Sequence, residues 1–594
     1  MEEKRTAVGP EELKRFTELL QRYKTGKSST EQRILSSENW WKLRNTTEEE
    51  KADAIRGEGF VSRSGWLHNV IVSKHADAVE AYPEPNILPR EEQDIPEARQ
   101  LSAIIPCVLE QNQFEQVWSD VLWQKLKTGT GVYKVVWDTA KLGGLGDIGI
   151  QRVNLLNIYW EPGLTDIQKS PYFFHTELWD REALQLQYPQ LEEVQTGSFV
   201  STKFLYDDAV DDSDKVTVVD VYYKKRVEGR QVLHYCKFVG ETVLYATEND
   251  HEAGTSIDGT PRPAPAEAGL YDHGQYPYIF DALYPVEGSP CGYGYVDLCR
   301  NPQTEIDILK TAFVKNARVG AVPRYFSRVD GNVNEEQFLD LEQALVKVSG
   351  NVDEATLRKI EHNTLDGNYI AMLDRTIEEL RQTSGNTETS TGTPASGVTA
   401  ASAIVALQEA SGKGSRDSTL ASYRAYTRIV ELCIELIRQF YDMPRQFRIL
   451  GQYGTASFVT YTNRGLQPAQ QPGFGPESLR LPVFDIKVTA QKKNVYTKVS
   501  QNELALQFFR LGFFDPQLAA QALLCLEMMD FDGKEKIMQR IAEGTAAPAG
   551  VTRVPAEEGL QLPESNVFAG VRQPENARVR AARERAVTAA VPRG

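Results

Sequence analysis

The 594-residue sequence contains no run of about 18 consecutive apolar residues, so no membrane-spanning helix is expected. Its first stretch, MEEKRTAVGPEELKRF, is charged from the second residue, unlike a signal peptide. The six cysteines (Cys107, Cys236, Cys291, Cys299, Cys433, Cys525) show no CxxC spacing, which argues against a disulfide framework and fits reduced thiols in a cytoplasm. The seven histidines are dispersed, with no HExxH and no His/Cys cluster, so neither a metal site nor a cofactor is expected. His251 and His273 stand beside acids but in loop sequence. The acidic run Asp207 to Asp214 lacks the glycine and distal glutamate of a calcium loop, and DFDGKE has Met528 in place of the first ligand. No GxSxG occurs. SGKGS is not a phosphate loop: Gly414 follows Lys413 where Ser or Thr is needed, and Leu407 replaces the leading glycine. These absences leave no candidate catalytic residue, and the chain is not expected to be an enzyme.

What is present is an ordinary globular composition, 41% hydrophobic, with a formal net charge of −16 that disfavours indiscriminate adhesion to nucleic acid or anionic membranes. The hydrophobic period predicts an α+β chain. Helical spacing runs through Leu13, Phe16, Leu20 and Tyr23, then from Trp66 to Val79, Ala98 to Leu109 and Phe114 to Leu126. YPEPNILPREEQDIPE interrupts that series as a breaker-rich link. The period then changes to two, with strands expected at 132–137, 148–153 and 158–160 and a meander at 216–223, 232–238 and 241–245. Residues 246–270 read as a solvated loop. Helices are expected at about 303–319, 335–348 and 368–383, with PRYFSR and LRKIE as a strand pair. A long helix beyond Ser415 would pack through a seam of Leu420, Tyr423, Thr427, Val430, Ile434, Ile437 and Tyr441. Strands return at 446–462 and 483–489. Three short helices follow, the first begun by a Ser500/Glu503 capping box. From Gly544 on, Ala, Pro, Val, Arg and Glu predict a mobile tail. Trp40, Trp41, Trp66, Trp118 and Trp123 are expected mainly in core packing.

Residues 385–417 stand apart. Between Arg381 and Glu409 the only charge is Glu388, and no aromatic lies between Tyr369 and Tyr423. The first half is Ser, Thr and Gly, and the second is small and helix-forming. Gly412 and Gly414 make a candidate hinge. The stretch reads either as a linker or as a loop projecting into a space that something passes through.

Four ordered pieces resemble the portal proteins of tailed bacteriophages or prophages: KTGTGVYKVVWD with VNLLNIYWEP and SPYFFHTELWDREAL; QYPYIFDALYPVEGSPCGYGYVDLCRNPQTEID; TPASGVTAASAIVALQEASGKGSRD; and LGFFDPQ with LEMMDFDGKEKIMQRI. The resemblance covers roughly residues 30–543. It implies a homo-oligomeric ring, typically of twelve subunits, at one vertex of the virion capsid, formed in the host cytoplasm, without membrane or cofactor. Double-stranded DNA would pass through it. Terminase, a head-completion adaptor and major capsid or scaffolding protein would be its partners. The implied parts are a wing (1–300), a first stem helix (301–320), a clip (321–365), a second stem helix (366–384), a tunnel loop (385–397), a tunnel helix (398–443), returning wing strands (444–496) and crown helices (497–543), followed by the tail.

By the same resemblance Asn386, Thr387, Glu388, Thr389, Ser390, Thr391, Thr393 and Ser396 would face DNA. Lys310, Lys315 and Arg318 would be the basic residues of the first stem helix. Arg324, Arg328, Glu335, Glu336, Asp340, Asp353 and Glu354 would belong to a docking surface on the clip. Each Lys or Arg that neutralises a phosphate adds salt-dependent affinity, and rotational symmetry repeats it around a ring, so a loop without cations suits sliding. From Asp330 to Asp366 nine acids face three cations, Lys347, Arg358 and Lys359, which is either a solvated face or a docking surface. Two other readings stay open: a nucleic-acid-processing enzyme with a polar active-site lid, and a capsid adaptor or scaffold that does not conduct DNA.

Overall fold

The structure is a computed structural model. It describes residues 7–46, 50, 52, 61–189, 214–227, 229–255, 261–321, 325–327, 357–359, 365, 367–386, 413–450, 456–470 and 479–490, and, further on, 507–508, 510–512, 519–527 and 538. The chain divides into two compact units, Met1–Asn494 and Val495–Gly594.

The first unit opens with helix α1 (Pro10–Trp41), which has proline at its start and Glu11 and Glu12 in its first turn, where the helix dipole favours them. Its face of Leu13, Phe16, Leu20 and Tyr23 is buried. Helices α2 (Trp66–Glu80), α3 (Ile95–Gln111) and α4 (Phe114–Thr128) follow. Between α2 and α3 the link expected to be a breaker instead holds strand β1 (Pro83–Pro89). Prolines are tolerated there because a two-stranded ribbon leaves each strand one unpaired edge.

Strands β2 (Thr130–Asp138), β3 (Asp147–Arg152), β4 (Ile158–Trp160), β5 (Tyr172–Asp180), β6 (Lys215–Val227), β7 (Arg230–Val239) and β8 (Thr242–Ala246) come next. β4 to β8 form an antiparallel meander in chain order, and the α1 face packs on it against Tyr159, Phe174, Val221, Tyr223 and Phe238. β9 (Tyr278–Ala282) joins β2 and β3 in a three-stranded sheet. The stretch expected as a solvated loop is partly folded: Gly254–Thr255 pairs with Pro261–Arg262, and Pro265–Ala268 is helical.

Helix α5 (Tyr295–Ala321) starts eight residues before its expected position and runs through Pro302. Asp297 explains the early start: its carboxylate accepts from the Gly294 N–H at 3.1 Å. Strands β10 (Tyr325–Ser327) and β11 (Leu357–Lys359) pair antiparallel, as PRYFSR and LRKIE were expected to. Helices α6 (Gly367–Ser384) and α7 (Lys413–Phe440) follow. Strands β12 (Arg445–Leu450) and β13 (Ala456–Tyr461) form a hairpin, and β14 (Phe484–Ala490) returns to pair with β1, Ile87 opposite Ile486.

The main core joins α3 and α4, the β2–β3–β9 sheet and the second half of α7. The buried face of α7 is rotated from the expected seam. Leu420 is 54% exposed, whereas Tyr426, Ile429, Cys433 and Leu436 are buried with Val430, Ile434 and Ile437. All five named tryptophans pack in or against apolar clusters, Trp118 in the main one and the others around α2. All six cysteines are free. Among the described residues no helix is long and apolar enough to cross a membrane.

In the second unit helix α8 (Ala519–Glu527) buries Ala522 and Leu526, and Phe508 is buried. The expected helix near 335–348, the Ser500/Glu503 cap and the tail beyond Gly544 lie outside the described residues.

Candidate functional site

α5 and the two elements that flank the uncharged stretch, α6 and the start of α7, meet on α2. At its N-terminus α2 has no side-chain cap of its own. Gln303 of α5 supplies one, its carbonyl accepting from the Leu67 N–H at 3.0 Å while its amide donates to the Ser64 carbonyl at 2.9 Å. One turn further along α5, Asp307 accepts from the Ser64 N–H at 2.9 Å and from its hydroxyl at 2.7 Å. Gln303 and Asp307 are buried, so α5 is fixed to α2 by a satisfied polar network.

α6 docks on the same helix through Leu380, fully buried with Leu67, Val70 and Ile71, and through Arg381, whose guanidinium lies 5.4 Å from the Trp66 ring. It ends in a Schellman motif. Gly385 takes a φ of +65°, its N–H donates to the Gln382 carbonyl at 3.1 Å, and the Asn386 N–H donates to that of Arg381 at 3.0 Å. The freed Gly385 carbonyl accepts from Lys74 Nζ of α2 at 3.2 Å. The same ammonium donates to Ser415 Oγ, in the first turn of α7, at 3.2 Å. Ser415 in turn donates to Asp77 at 3.4 Å, and Ser73 donates to Asn386 Oδ1 at 3.2 Å. Burial pushes the Lys74 pKa down against the opposing charge of Asp77, and burial pushes the Asp77 pKa up against Lys74 and Ser415. Gly385, at the end of α6, and Ser415, in the first turn of α7, therefore meet on one side chain of α2.

A second polar cluster lies in the β-rich part. His175 Nδ1 is 3.4 Å from Glu177 and 3.8 Å from Asp220, a group that by composition and distance could ligate a metal. The place a cation would take is filled by Lys134, whose Nζ is 3.4 Å from His175, 3.7 Å from Asp220 and 3.9 Å from Glu177. Burial opposes the Asp220 carboxylate, yet the neighbouring His175 ring and the charges of Lys134 and Lys237 hold its pKa below the usual range. Burial lowers the His175 pKa, and Lys134 adds to that. The cluster works as a charge-compensated ion network. It borders an open cleft of about 1660 Å³ lined by Trp137, Tyr222, Tyr235, Lys237 and Arg438 among others.

Compared with protein-family models, the chain matches the phage P22-like portal protein over residues 76–260 and 271–590. The chain belongs to that family. It is a phage portal protein, and the family is structural rather than enzymatic. No curated protein matches the chain.

The residues expected at a DNA passage divide on the structure. Asn386 is buried and serves as part of the α2 anchor. Thr387, Glu388, Thr389, Ser390, Thr391, Thr393, Ser396 and Gly412 lie outside the described residues, as do Arg324, Arg328, Glu335, Glu336, Asp340, Asp353 and Glu354. Gly414 sits in the first turn of α7. On α5 Lys310 is half-buried, whereas Lys315 and Arg318 are exposed. Lys74 and Asp307, which bind the elements together, were not among the expected residues. Their signal was readable: Lys74 continues the Leu67, Val70, Ile71 stripe at helical spacing, so its side chain had to enter the core.

His273 gives a pH test of the β-rich part. Burial, then the charge of Lys224, pushes its pKa down to about 4. In the unfolded chain it returns to about 6.5. Between those values the unfolded state binds a proton that the folded state does not, so this contribution to stability is complete above pH 6.5 and falls as the pH falls towards 4. A His273→Gln variant is expected to lose part of the drop in unfolding midpoint between pH 7 and pH 5. Superimposable pH profiles of parent and variant would show that His273 is not desolvated.

Proposed function

We propose that the chain assembles as a homo-oligomeric ring, of about twelve copies as the resemblance implies, at a capsid vertex and acts as the conduit for genome packaging and ejection. Terminase, a head-completion adaptor and capsid or scaffolding protein are its proposed partners. α5 and α6 are the proposed stem helices, the β10–β11 segment belongs to the proposed clip, α7 to the tunnel helix, and residues 497–543 form the crown. The observation that carries the reading is the shared Lys74 anchor. It brings Gly385 and Ser415, on either side of residues 387–412, to one side chain, and the sequence between them carries no cation up to Lys413. A segment of this composition, with Thr387, Thr389, Ser390, Thr391, Thr393 and Ser396, would offer weak hydrogen bonds to a passing duplex and no phosphate neutralisation.

Negative-stain microscopy and native mass spectrometry test assembly, with a closed ring expected and a persistent monomer at high concentration counting against it. A Thr389→Lys/Ser390→Lys variant tests the channel. It is expected to form rings like the parent but to package DNA at least about tenfold less well, because every subunit adds cations that bind phosphate. Normal packaging by that variant would remove 389–390 from the DNA path.

A further inference from the structure

We infer that Lys74 is a positioning residue that couples the end of α6 to the start of α7, so that a displacement of one helix is felt by the other across α2. The inference rests on the reading of α6 and α7 as channel elements only for its use in DNA passage; the coupling stands on geometry alone.

An ammonium has three donors and no acceptor. Lys74 is 5% exposed, so those donors need protein partners. Two of them are the Gly385 carbonyl and Ser415 Oγ, each at 3.2 Å. Neither partner is on α2. The Gly385 carbonyl belongs to a glycine in the left-handed region, and Ser415 passes the connection on to Asp77, one turn beyond Lys74 on α2. Shifting Gly385 by an ångström would stretch its bond beyond hydrogen-bond range or draw the ammonium after it. In the second case Ser415 and Asp77 lose their geometry together. α2 itself cannot follow freely, because Leu67, Val70 and Ile71 are packed with α5 and α6, and Gln303 caps its first turn. The soft part of the junction is therefore the long lysine side chain, and it is shared.

The start of α7 suits such a role. Its first turn is held by the half-buried Ser415 through hydroxyl contacts to Lys74 and Asp77, whereas Ser418 and Ser422 bond the buried Lys125 and the face from Ala425 onward is packed in the main core. The Ser415 hydroxyl contacts can shift without exposing a core, which the part from Ser418 onward cannot do.

Amide hydrogen exchange on the assembled protein tests this. In Ser415→Ala only a hydroxyl on α7 is removed, yet the amides of Gly385 and Asn386, at the end of α6, are expected to exchange about threefold faster or more. A residue acting only within its own helix would not move them. In Lys74→Met both 384–386 and 413–418 are expected to lose protection together, while 425–440 keeps that of the parent. Unchanged exchange at Gly385 and Asn386 in Ser415→Ala, or loss of protection at only one end in Lys74→Met, would overturn the coupling. Packaging by Ser415→Ala rings decides its use: a reduced rate is expected, and faster exchange with parental packaging would overturn a role in DNA passage. Failure of the parent to form rings would strike the channel reading, and the exchange result would still decide the coupling.

Discussion

Replacing Lys125 with Met is expected to lower the stability of the first unit by about 3–5 kcal/mol, read as a fall in the denaturant midpoint. Lys125 of α4 and Asp281 of β9 are wholly buried, with Nζ 2.7 Å from Oδ1. The ammonium also donates to Ser422 Oγ at 2.6 Å and to the Ser418 carbonyl at 3.0 Å, and Ser422 donates to the other Asp281 oxygen at 2.7 Å. The ammonium of α4 thus makes one ion pair and two hydrogen bonds, with partners drawn from a strand and the beginning of α7. Methionine matches the stem of the lysine but leaves Asp281 as an uncompensated buried charge. The large effect comes from that orphaned carboxylate, not from the net value of the pair, which desolvation of both ions keeps small. A Lys125→Met/Asp281→Leu double variant is accordingly expected to recover most of the loss. A single variant as stable as the parent would mean that water or another cation reaches Asp281.

Lys125 also shows where the sequence was readable and where it was not. The long helices, the meander and the β10–β11 pair follow from periodicity and turn chemistry, which are local. The β1–β14 pair does not: its partners are separated by most of the chain, and β1 carries three prolines. Pro302 misled in the other direction, because proline usually ends a helix, whereas here α5 starts earlier from a cap at Asp297 and continues through it. Lys27, Lys74 and Lys125 are the instructive cases. Each occupies a position of an apolar stripe, after Leu20 and Tyr23, after Val70 and Ile71, and after Val121 and Leu122. Lysine is so seldom buried that composition places it outside, but spacing places all three inside. What spacing cannot give is the partner. The carbonyls of Leu155 and Ile158 for Lys27, Gly385 for Lys74 and Asp281 for Lys125 all come from distant sequence.

The glycine turns carry the other large expected effect. KTGTG and CGYGY stand in two separate pieces of the sequence, yet the fold brings them into one contact. A Cβ on Gly294 would stand 2.6 Å from the Lys127 carbonyl oxygen and 2.8 Å from the Gly129 nitrogen, both backbone atoms that no rotamer change can move. A Cβ on Gly129 would meet the Tyr293 backbone at 2.4 Å, and Gly129 also has a φ of +87° as the C-terminal cap of α4. The contact is further tied by Gly292 N–H to Thr130 Oγ1 at 2.9 Å and by Arg33 to the Gly292 carbonyl at 2.7 Å. It joins α1, α4, β2 and the start of α5, so the entry angle of α5 depends on two backbones touching. Gly294→Ala is expected to cost about 3 kcal/mol or more, at the upper end of overpacking penalties, because the strain falls on main chain. Gly288→Ala is the matched control: its Cβ meets nothing within 4 Å, and with a φ of +74° it carries the backbone penalty alone, about 1 kcal/mol. A loss in Gly294→Ala no larger than in Gly288→Ala would show that the close approach costs little, and α5 would then be held by Gln303 and Asp307 without help from this contact.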